Sequence, residues 1–251
     1  MTMKQERPTT DNDRPGVPCA QTPVNDLIAR GRHIFAAGLA HELRTPLTIL
    51  KGRLHGLEDG IIDPSTGECD RLLKQVDQLL RIVDDLGILV KAQAGQLVLD
   101  WRSVDFRHII ERAVEEVRSE ARAAQVDISP NLRPVILYCD PARLIRALTT
   151  IFRFALSRMA PGQSLTIRNG DDNDLIITVW GNDLKCAHGQ EHLLFAPFYD
   201  SVGNEDANAA HSSVGPALAA ALIHAHGGTV TARRSGIEEA SLEIRISLPR
   251  P

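Results

Sequence analysis

Apolar residues recur every three or four positions along two long stretches in the first half of the chain. The first stretch runs from Val24 to about Leu57, and its apolar positions are Phe35, Leu39, Leu43, Leu47, Leu50, Leu54 and Leu57. The second runs from about Glu68 to Ala94, with Leu72, Val76, Leu79, Val83, Leu86 and Val90. This spacing predicts two amphipathic helices with coiled-coil-like seams.

Asp59-Gly60, with Pro64 and Gly67 beyond it, predicts a break between these helices. Two long helices joined by a short loop form an antiparallel hairpin. A lone hairpin has only one partner for each apolar stripe, so we expect two copies to associate as a four-helix bundle. We assign this dimerisation domain to residues 23–95.

The pattern changes at Ala94-Gly95, where alternating strands begin to mix with helices. Asp140 is a good N-cap for one of these helices, with Pro141 at its first position. The predicted elements are a strand-like segment Gln96–Trp101, a helix from about Asp105 to Ala123, a strand near Val135–Cys139, a helix from Asp140 to about Met159, strands Ser164–Arg168 and Leu175–Trp180, a lid-like stretch Ser201–Ser213, a helix from about Val214 to His226, and strands Gly228–Arg233 and Leu242–Leu248. The predicted fold class is α+β: the helical hairpin, followed over residues 96–251 by a mixed sheet with helices on one face.

Composition narrows the function classes. A net charge of −4 argues against a broad nucleic-acid surface, and 4% aromatic residues argue against stacking platforms for bases. The four cysteines share no metal-ligand spacing and are interpreted as inert thiols. Residues 1–22 are polar, contain three prolines and are expected to form a disordered tail. No segment has the apolar length of a membrane span, so we expect a cytoplasmic protein.

The residue with the strongest chemical interest is His41. It lies two positions after Leu39 and two before Leu43, so a helix would point it away from the apolar stripe. Glu42 can orient its ring, Thr45 follows one turn later, and Pro46 interrupts the helix interior. A lone histidine in such a place is also compatible with an ordinary surface position. A neutral imidazole beside a carboxylate nevertheless suits phosphoryl transfer.

The run from His41 to Leu47, His-Glu-Leu-Arg-Thr-Pro-Leu, resembles the H box of the two-component histidine kinases of the HisKA type. The resemblance implies that His41 is the phosphoacceptor and Glu42 its base. It also implies that Thr45 helps to hydrolyse the phosphoaspartate of a partner receiver domain. Further along, Phe195–Tyr199 resembles the F box of the family, and Ala225–Gly228 matches the turn after its last helix.

By the same resemblance, residues 96–251 correspond to the ATP-binding domain of the family, but the parts that hold ATP are altered. Thr150 and Phe154 stand where the family has asparagines, and Phe154 replaces the magnesium ligand. Gly181 replaces the aspartate that contacts adenine. Of the second glycine box only Gly215 remains, and Pro216 follows it. Other altered positions are Ser157 (with Arg158 adjacent as a substitute cation), Asp183, Lys185, His211 and Ser213; Asn169 and Asn182 are candidate replacement ligands.

Two functions remain open. In the first, the chain is a homodimer in a phosphorelay: His41 exchanges phosphate with a response-regulator aspartate, and ATP and magnesium bind weakly. In the second, it is an inactive pseudokinase that binds another histidine kinase or a receiver domain. We expect no structural metal site in either case.

Overall fold

The computed structural model describes residues 43–170, 174–180, 191, 194–195, 214–235 and 241–249. Its first part is the predicted helical hairpin, with α1 over residues 43–58 and α2 at Thr66–Gln93. Gly60, at φ +69°, supplies a left-handed residue in the loop. The N-terminal part of the predicted first helix and the predicted tail (residues 1–22) lie outside the described residues.

The hairpin is closed by a buried carboxylate at its loop end. Ser65 caps α2 and accepts a hydrogen bond from the Glu68 backbone N–H. The Glu68 side chain accepts hydrogen bonds from Arg53 of α1 at 2.6 Å and from Arg71 at 3.1 Å. The hydrogen bond from Arg53 is the main reason why the pKa of Glu68 lies below its usual value. These contacts fix the antiparallel arrangement of the two helices.

The second part is a mixed α+β sandwich, as predicted. Its helices are α3 (Phe106–Ala123), α4 (Pro141–Leu156) and α5 (Val214–Ala225). Its strands are β1 (Arg102–Asp105), β2 (Asp127–Asn131), β3 (Ile136–Cys139), β4 (Ser164–Asn169), β5 (Asp174–Trp180), β6 (Thr229–Ser235) and β7 (Ser241–Ser247). The main sheet has the order β2-β4-β5-β7-β6, and only the β2–β4 pair is parallel. Strands β1 and β3 form a separate antiparallel pair.

Alternation in the strands and amphipathicity in the helices produce one continuous core. Leu242, Ile244 and Ile246 of β7 are buried together with Leu165 and Ile167 of β4. Helix α4 packs between α3 and α5. Asp140 caps α4 by accepting from the Arg143 N–H, which confirms the N-cap prediction.

Two strand predictions need correction. Gln96–Trp101 was expected to be strand-like, but pairing begins only at Arg102. This segment is held by other contacts: the Asp100 N–H donates to Asp140, and the Trp101 ring stacks on Tyr138 at 5.5 Å. Strand β2 was not predicted, because it is a polar edge strand that contains Pro130, a residue that only an edge position tolerates.

The hairpin contacts the sandwich through α2. Ile82 and Leu89, seven residues apart, are buried, and α2 packs against α5. Asp85 of α2 accepts two hydrogen bonds from the Arg146 guanidinium of α4, at 2.5 and 3.1 Å. None of the helices in the described ranges combines the length and the apolar character that crossing a bilayer requires.

The described cysteines fit the interpretation as isolated thiols. Cys139 is buried at the end of β3, and burial, with the neighbouring Asp140 charge, raises its pKa to about 11. Cys69 is exposed on the first turn of α2. Cys19 and Cys186 lie outside the described residues.

Candidate functional site

The described part of the H-box run begins two residues after its histidine. His41 and Glu42 lie outside the described residues, and α1 is described from Leu43 onward. Thr45 is half-buried in the first described turn, and the neighbouring Pro46 is buried. The helix continues through Pro46, and the Thr48 hydroxyl donates to the Arg44 carbonyl at 2.8 Å. Thr45 is thus placed on a helix, as predicted, while its distance to His41 stays a prediction.

A cavity of about 670 Å³ brings together the predicted nucleotide-site residues of α4 and α5. Thr150, Phe154 and Ser157 of α4 line it, together with Gly215 and Pro216 of α5. These residues are far apart in sequence, and the α4–α5 packing places them side by side. Gly181, Asn182, Asp183, Lys185, His211 and Ser213 lie outside the described residues.

Close packing of α5 against α4 explains why a glycine stands at position 215 opposite Thr150. A Cβ atom added at Gly215 would lie 3.1 Å from the Thr150 Cγ2 atom, so the glycine lets α5 approach α4. The Thr150 hydroxyl donates to the Arg146 carbonyl at 2.8 Å, within its own helix. Pro216 lies in the first turn of α5, where proline is tolerated but offers no N–H donor. The glycine therefore has a packing role that requires no ligand.

Phe154 is buried, and its aromatic ring stands at the position of the expected magnesium ligand without any oxygen to offer. The Arg158 guanidinium lies over this ring, 3.8 Å from its centroid, and donates to the Ser157 hydroxyl at 3.2 Å. Ser157 in turn donates to the Phe154 carbonyl at 2.7 Å. Arg158, the candidate substitute cation beside Ser157, is therefore stacked on the Phe154 ring.

Helix α2 contributes a wall of the cavity that sequence reasoning missed. Gln78, Arg81, Ile82 and Asp85 all line it from the hairpin side. Gln78, Arg81 and Asp85 are polar or charged positions of an amphipathic helix, which the sequence pattern marks only as a solvated face, whereas Ile82 is apolar and buried. On the opposite rim, Glu120 of α3 accepts from the Arg153 Nε atom of α4 at 3.0 and 3.1 Å. The cavity thus lies between the hairpin and the sandwich.

The turn at Ala225–Gly228 has a structural role. The His226 ring is buried; its Nδ1–H donates to the Leu222 carbonyl at 2.7 Å, and its Nε2 accepts from the Asp140 N–H at 3.1 Å. Gly227 has φ +75°, and a Cβ on Gly228 would lie 2.5 Å from the Ser247 carbonyl oxygen. This turn joins α5, α4 and β7 and does not reach the cavity.

Two other predicted residues are located. The Asn169 side-chain oxygen accepts from the Arg133 N–H at 2.6 Å and does not line the cavity, so its role as a replacement ligand has no support. Phe195, the first residue of the F-box-like run, is buried in the core. The rest of that run lies outside the described residues.

Comparison with protein families finds one matching model. Residues 32–95 match the His Kinase A (phospho-acceptor) domain, a range that contains His41, Glu42 and Thr45. Similar curated proteins include the signal transduction histidine-protein kinase BaeS of Escherichia coli, 27% identical over 221 residues, or 87% of this chain and 47% of that protein. The probable sensor histidine kinase TcrY of Mycobacterium tuberculosis is 26% identical over 206 residues, or 80% of this chain and 43% of that protein. The chain thus spans about half the length of these relatives.

Solved structures show the same fold. The Acinetobacter baumannii histidine kinase AdeS matches with a TM-score of 0.65 and 26% identity, covering 84% of this chain and 98% of that one. The histidine kinase ThkA, solved in complex with the response regulator protein TrrA, matches with a TM-score of 0.58 over 90% of this chain and 64% of that one. At 16% identity, the likeness to ThkA concerns the fold alone.

Proposed function

Because this chain belongs to the family of two-component sensor histidine kinases, we propose that His41 exchanges phosphate with the aspartate of a response-regulator receiver domain. The observation that carries the proposal is the complete H-box run, which starts at His41 inside the region that matches the phospho-acceptor domain. A ring nitrogen of His41 forms the bond to phosphorus as the bond to the aspartate oxygen breaks. Glu42 accepts the hydrogen bond of the other ring nitrogen and orients the imidazole.

Thr45 is proposed to promote a second reaction, hydrolysis of the receiver's phosphoaspartate to aspartate and inorganic phosphate, by positioning the attacking water molecule. Its half-buried location on α1, one turn after His41 in sequence, supports this role because residues four apart share a helix face. The solved complex of ThkA with TrrA is a case in which a protein of this fold binds a response regulator.

The hairpin is proposed to act as a homodimer. Its exposed large apolar residues are Leu47, Ile49, Leu54, Ile61, Leu73, Val76, Leu80, Val83 and Val90. So many exposed apolar side chains on one helical hairpin are typical of a surface that a partner covers. A second copy satisfies both helices at once as a four-helix bundle. The dimerisation and phosphotransfer domain would comprise residues 23–95, ending at the left-handed Gly95 (φ +65°), and the ATPase-like domain residues 96–251.

The described part of the nucleotide site fits a magnesium triphosphate poorly, which supports the proposal of weak autokinase activity. The Phe154 side chain has no atom that could coordinate magnesium, Pro216 has no backbone N–H to donate to phosphate, and the Arg158 guanidinium is stacked on Phe154. Each lost contact to a charged group costs about 1.5–3 kcal/mol, so three losses weaken binding by roughly 10³–10⁶-fold. The same residues favour the alternative proposal, a pseudokinase that regulates another histidine kinase or a receiver by binding alone.

Phosphotransfer from labelled receivers separates the two proposals. The full chain is incubated with receiver domains from the same genome that carry labelled phosphoaspartate. Wild type is expected to acquire acid-labile, base-stable label, and His41→Ala to acquire none. The Thr45→Ala variant should still acquire label, and the receiver should lose its phosphate more slowly with this variant than with wild type. The matched control is His55→Ala, which removes an exposed histidine of α1 and should behave as wild type. Identical behaviour of wild type and His41→Ala with every receiver would leave the binding-only function.

A further inference from the structure

The cavity between α2 and the sandwich has no part in the proposed phosphotransfer, yet it has the features of a ligand site. Its volume, about 670 Å³, lies within the range of roughly 300–1,000 Å³ of small-molecule sites. Ile82, Phe154 and Leu156 line it and are themselves buried, so they form an apolar floor. Polar side chains converge on this floor from α2, α3 and α4.

The hydroxyl groups at the cavity present acceptors to a ligand. The Thr150 hydroxyl donates its hydrogen to the Arg146 carbonyl, and the Ser157 hydroxyl donates its hydrogen to the Phe154 carbonyl. The Thr150 oxygen keeps two lone pairs, and the Ser157 oxygen, which accepts from Arg158, keeps one; these suit ligand N–H and O–H groups. Phosphate oxygens need donors, and these hydroxyls have none to give.

The charged groups at the cavity are largely matched within the protein. Asp85 is paired with Arg146, and Glu120 with Arg153. Arg81, on α2, has no ion-pair partner among the residues that the structure describes. Arg81 can attract one anionic group, whereas a chain of several phosphates finds the guanidinium groups of Arg146 and Arg153 already paired with carboxylates.

We propose that this cavity binds a heterocyclic molecule of nucleoside size, rich in N–H and O–H donors and with at most one anionic group, and that it excludes polyphosphates. The apolar floor takes the ring system, Thr150 and Ser157 accept hydrogen bonds from the ligand, and Arg81 receives a single anionic group where one is present. The ligand then contacts α2 and α4 together. Its binding therefore stabilises the contact between the hairpin and the sandwich.

Calorimetric titration of the full chain tests the charge selection. The probes are adenosine, guanosine, AMP and ATP, the last with and without Mg²⁺, because adenosine, AMP and ATP differ only in their phosphates. Adenosine or guanosine should bind at least about tenfold more tightly than ATP, AMP should lie within about tenfold of adenosine, and Mg²⁺ should not rescue ATP. Tighter binding of ATP with Mg²⁺ than of adenosine overturns the proposal, as does the absence of saturable binding by both nucleosides.

Matched variants locate the binding. Ala123→Trp fills the cavity from an exposed position on the last turn of α3, and Ala142→Trp adds the same group at an exposed position outside the cavity. Only Ala123→Trp should weaken nucleoside binding, by at least about tenfold. Equal losses in both variants, or none in Ala123→Trp, would overturn the location.

Arg81→Gln tests the single cation, with Arg112→Gln on the exposed face of α3 as control. Arg81→Gln should weaken AMP binding by about three- to tenfold and leave adenosine within about twofold. An equal loss for both probes would contradict the assigned role of Arg81. Phosphotransfer from a receiver does not involve the cavity, so the Ala123→Trp variant should retain this activity. Failure of the ligand proposal and failure of the phosphotransfer proposal are therefore recognised in different assays.

Discussion

Helices α2 and α4 are both amphipathic, but they differ in how much of their apolar surface the chain itself covers. Of the sixteen residues of α4, nine are buried. Helix α2 has 28 residues, of which only Glu68, Ile82 and Leu89 are buried among those whose burial is described. The chain therefore buries much of α4, whereas it leaves on α2 exposed apolar positions that the proposed homodimer would cover.

The exposed apolar positions of α2 fall into two series with a spacing of seven. One series is Leu73 and Leu80, with Gly87 as the next member, and the other is Val76, Val83 and Val90. This is the spacing of a coiled-coil seam. Ile82 and Leu89 form a third series on the side that contacts the sandwich. In the proposed homodimer, α2 serves two interfaces, one to the second copy and one to the sandwich, which accounts for an apolar pattern broader than a single stripe.

The largest expected effect is in the core of the sandwich. Leu148→Ala removes a fully buried side chain of α4 and should lower the free energy of unfolding by about 2–5 kcal/mol. Val83→Ala, at an exposed position of α2, should change the unfolding of a dissociated chain by less than about 0.5 kcal/mol. Urea denaturation at low protein concentration, followed by circular dichroism, measures both. Similar losses for the two variants would mean that the hairpin is as self-contained as the sandwich.

The second effect concerns association. Leu80→Glu places a charge in the seam and should shift the chain from dimer to monomer at micromolar concentration, because a buried unpaired carboxylate opposes association. Lys74→Glu makes a charge change at an exposed position of the same helix outside the seam and should leave the dimer intact. Size-exclusion chromatography with light scattering gives the mass. A monomeric wild type, or a dimeric Leu80→Glu, would contradict the proposed bundle.

The third effect concerns the ion pair between Asp85 of α2 and Arg146 of α4, which joins the hairpin to the sandwich. Because Asp85 and Arg146 are both partly exposed, their coupling energy should be only about 0.5–1 kcal/mol. A double-mutant cycle with Asp85→Ala and Arg146→Ala measures it. A matched cycle on Glu120 and Arg153, which pair within the sandwich, serves as comparison. Zero coupling for the first pair would mean that the packing of α2 against the sandwich, which includes Leu89 and Ile88, holds the two regions together without help from this ion pair.

Periodicity predicted most of this fold because helix and strand spacing is local information. The break at Gly60, the cap at Asp140 and the alternation in β7 all correspond to elements in the structure. The failures lie where contacts between distant segments decide the conformation. Pro130 made β2 resemble a loop, and Gln96–Trp101 has strand-like residues but is held by the Asp140 side chain and by aromatic stacking.

The candidate site was predictable only where a motif carried it. The H-box run names His41, Glu42 and Thr45 as candidates, and their roles stay predictions. The altered positions Thr150 and Phe154 line one cavity together with the retained Gly215. The contribution of Arg81 and Asp85 was not predictable, because exposed charges on an amphipathic helix give no sign of which surface they approach. The packing role of Gly215 against Thr150 likewise depends on a contact between two helices.

The smallest expected effect distinguishes the helix caps of the two regions by their response to acid. Helix α2 is capped by the Ser65 hydroxyl, which does not titrate in this range, whereas α3 is capped by the Asp105 carboxylate. Hydrogen bonds from the Arg107 side chain, and then from its backbone N–H, lower the pKa of Asp105 to about 2. A carboxyl whose folded pKa lies below its unfolded value stabilises the fold above the unfolded pKa and loses this contribution as pH falls through the folded pKa. The stability that Asp105 contributes should therefore be complete above its ordinary pKa of 3.8 and should decline as pH falls from 3.8 to about 2.

The Asp105→Ser variant tests this pH dependence. It keeps a capping oxygen but cannot titrate, so the stability of the variant should fall less steeply than that of wild type across this window. Thermal melts of both proteins from pH 5 to about 2 measure the difference. Parallel curves would show that the Asp105 carboxylate has the same pKa in the folded and unfolded chain.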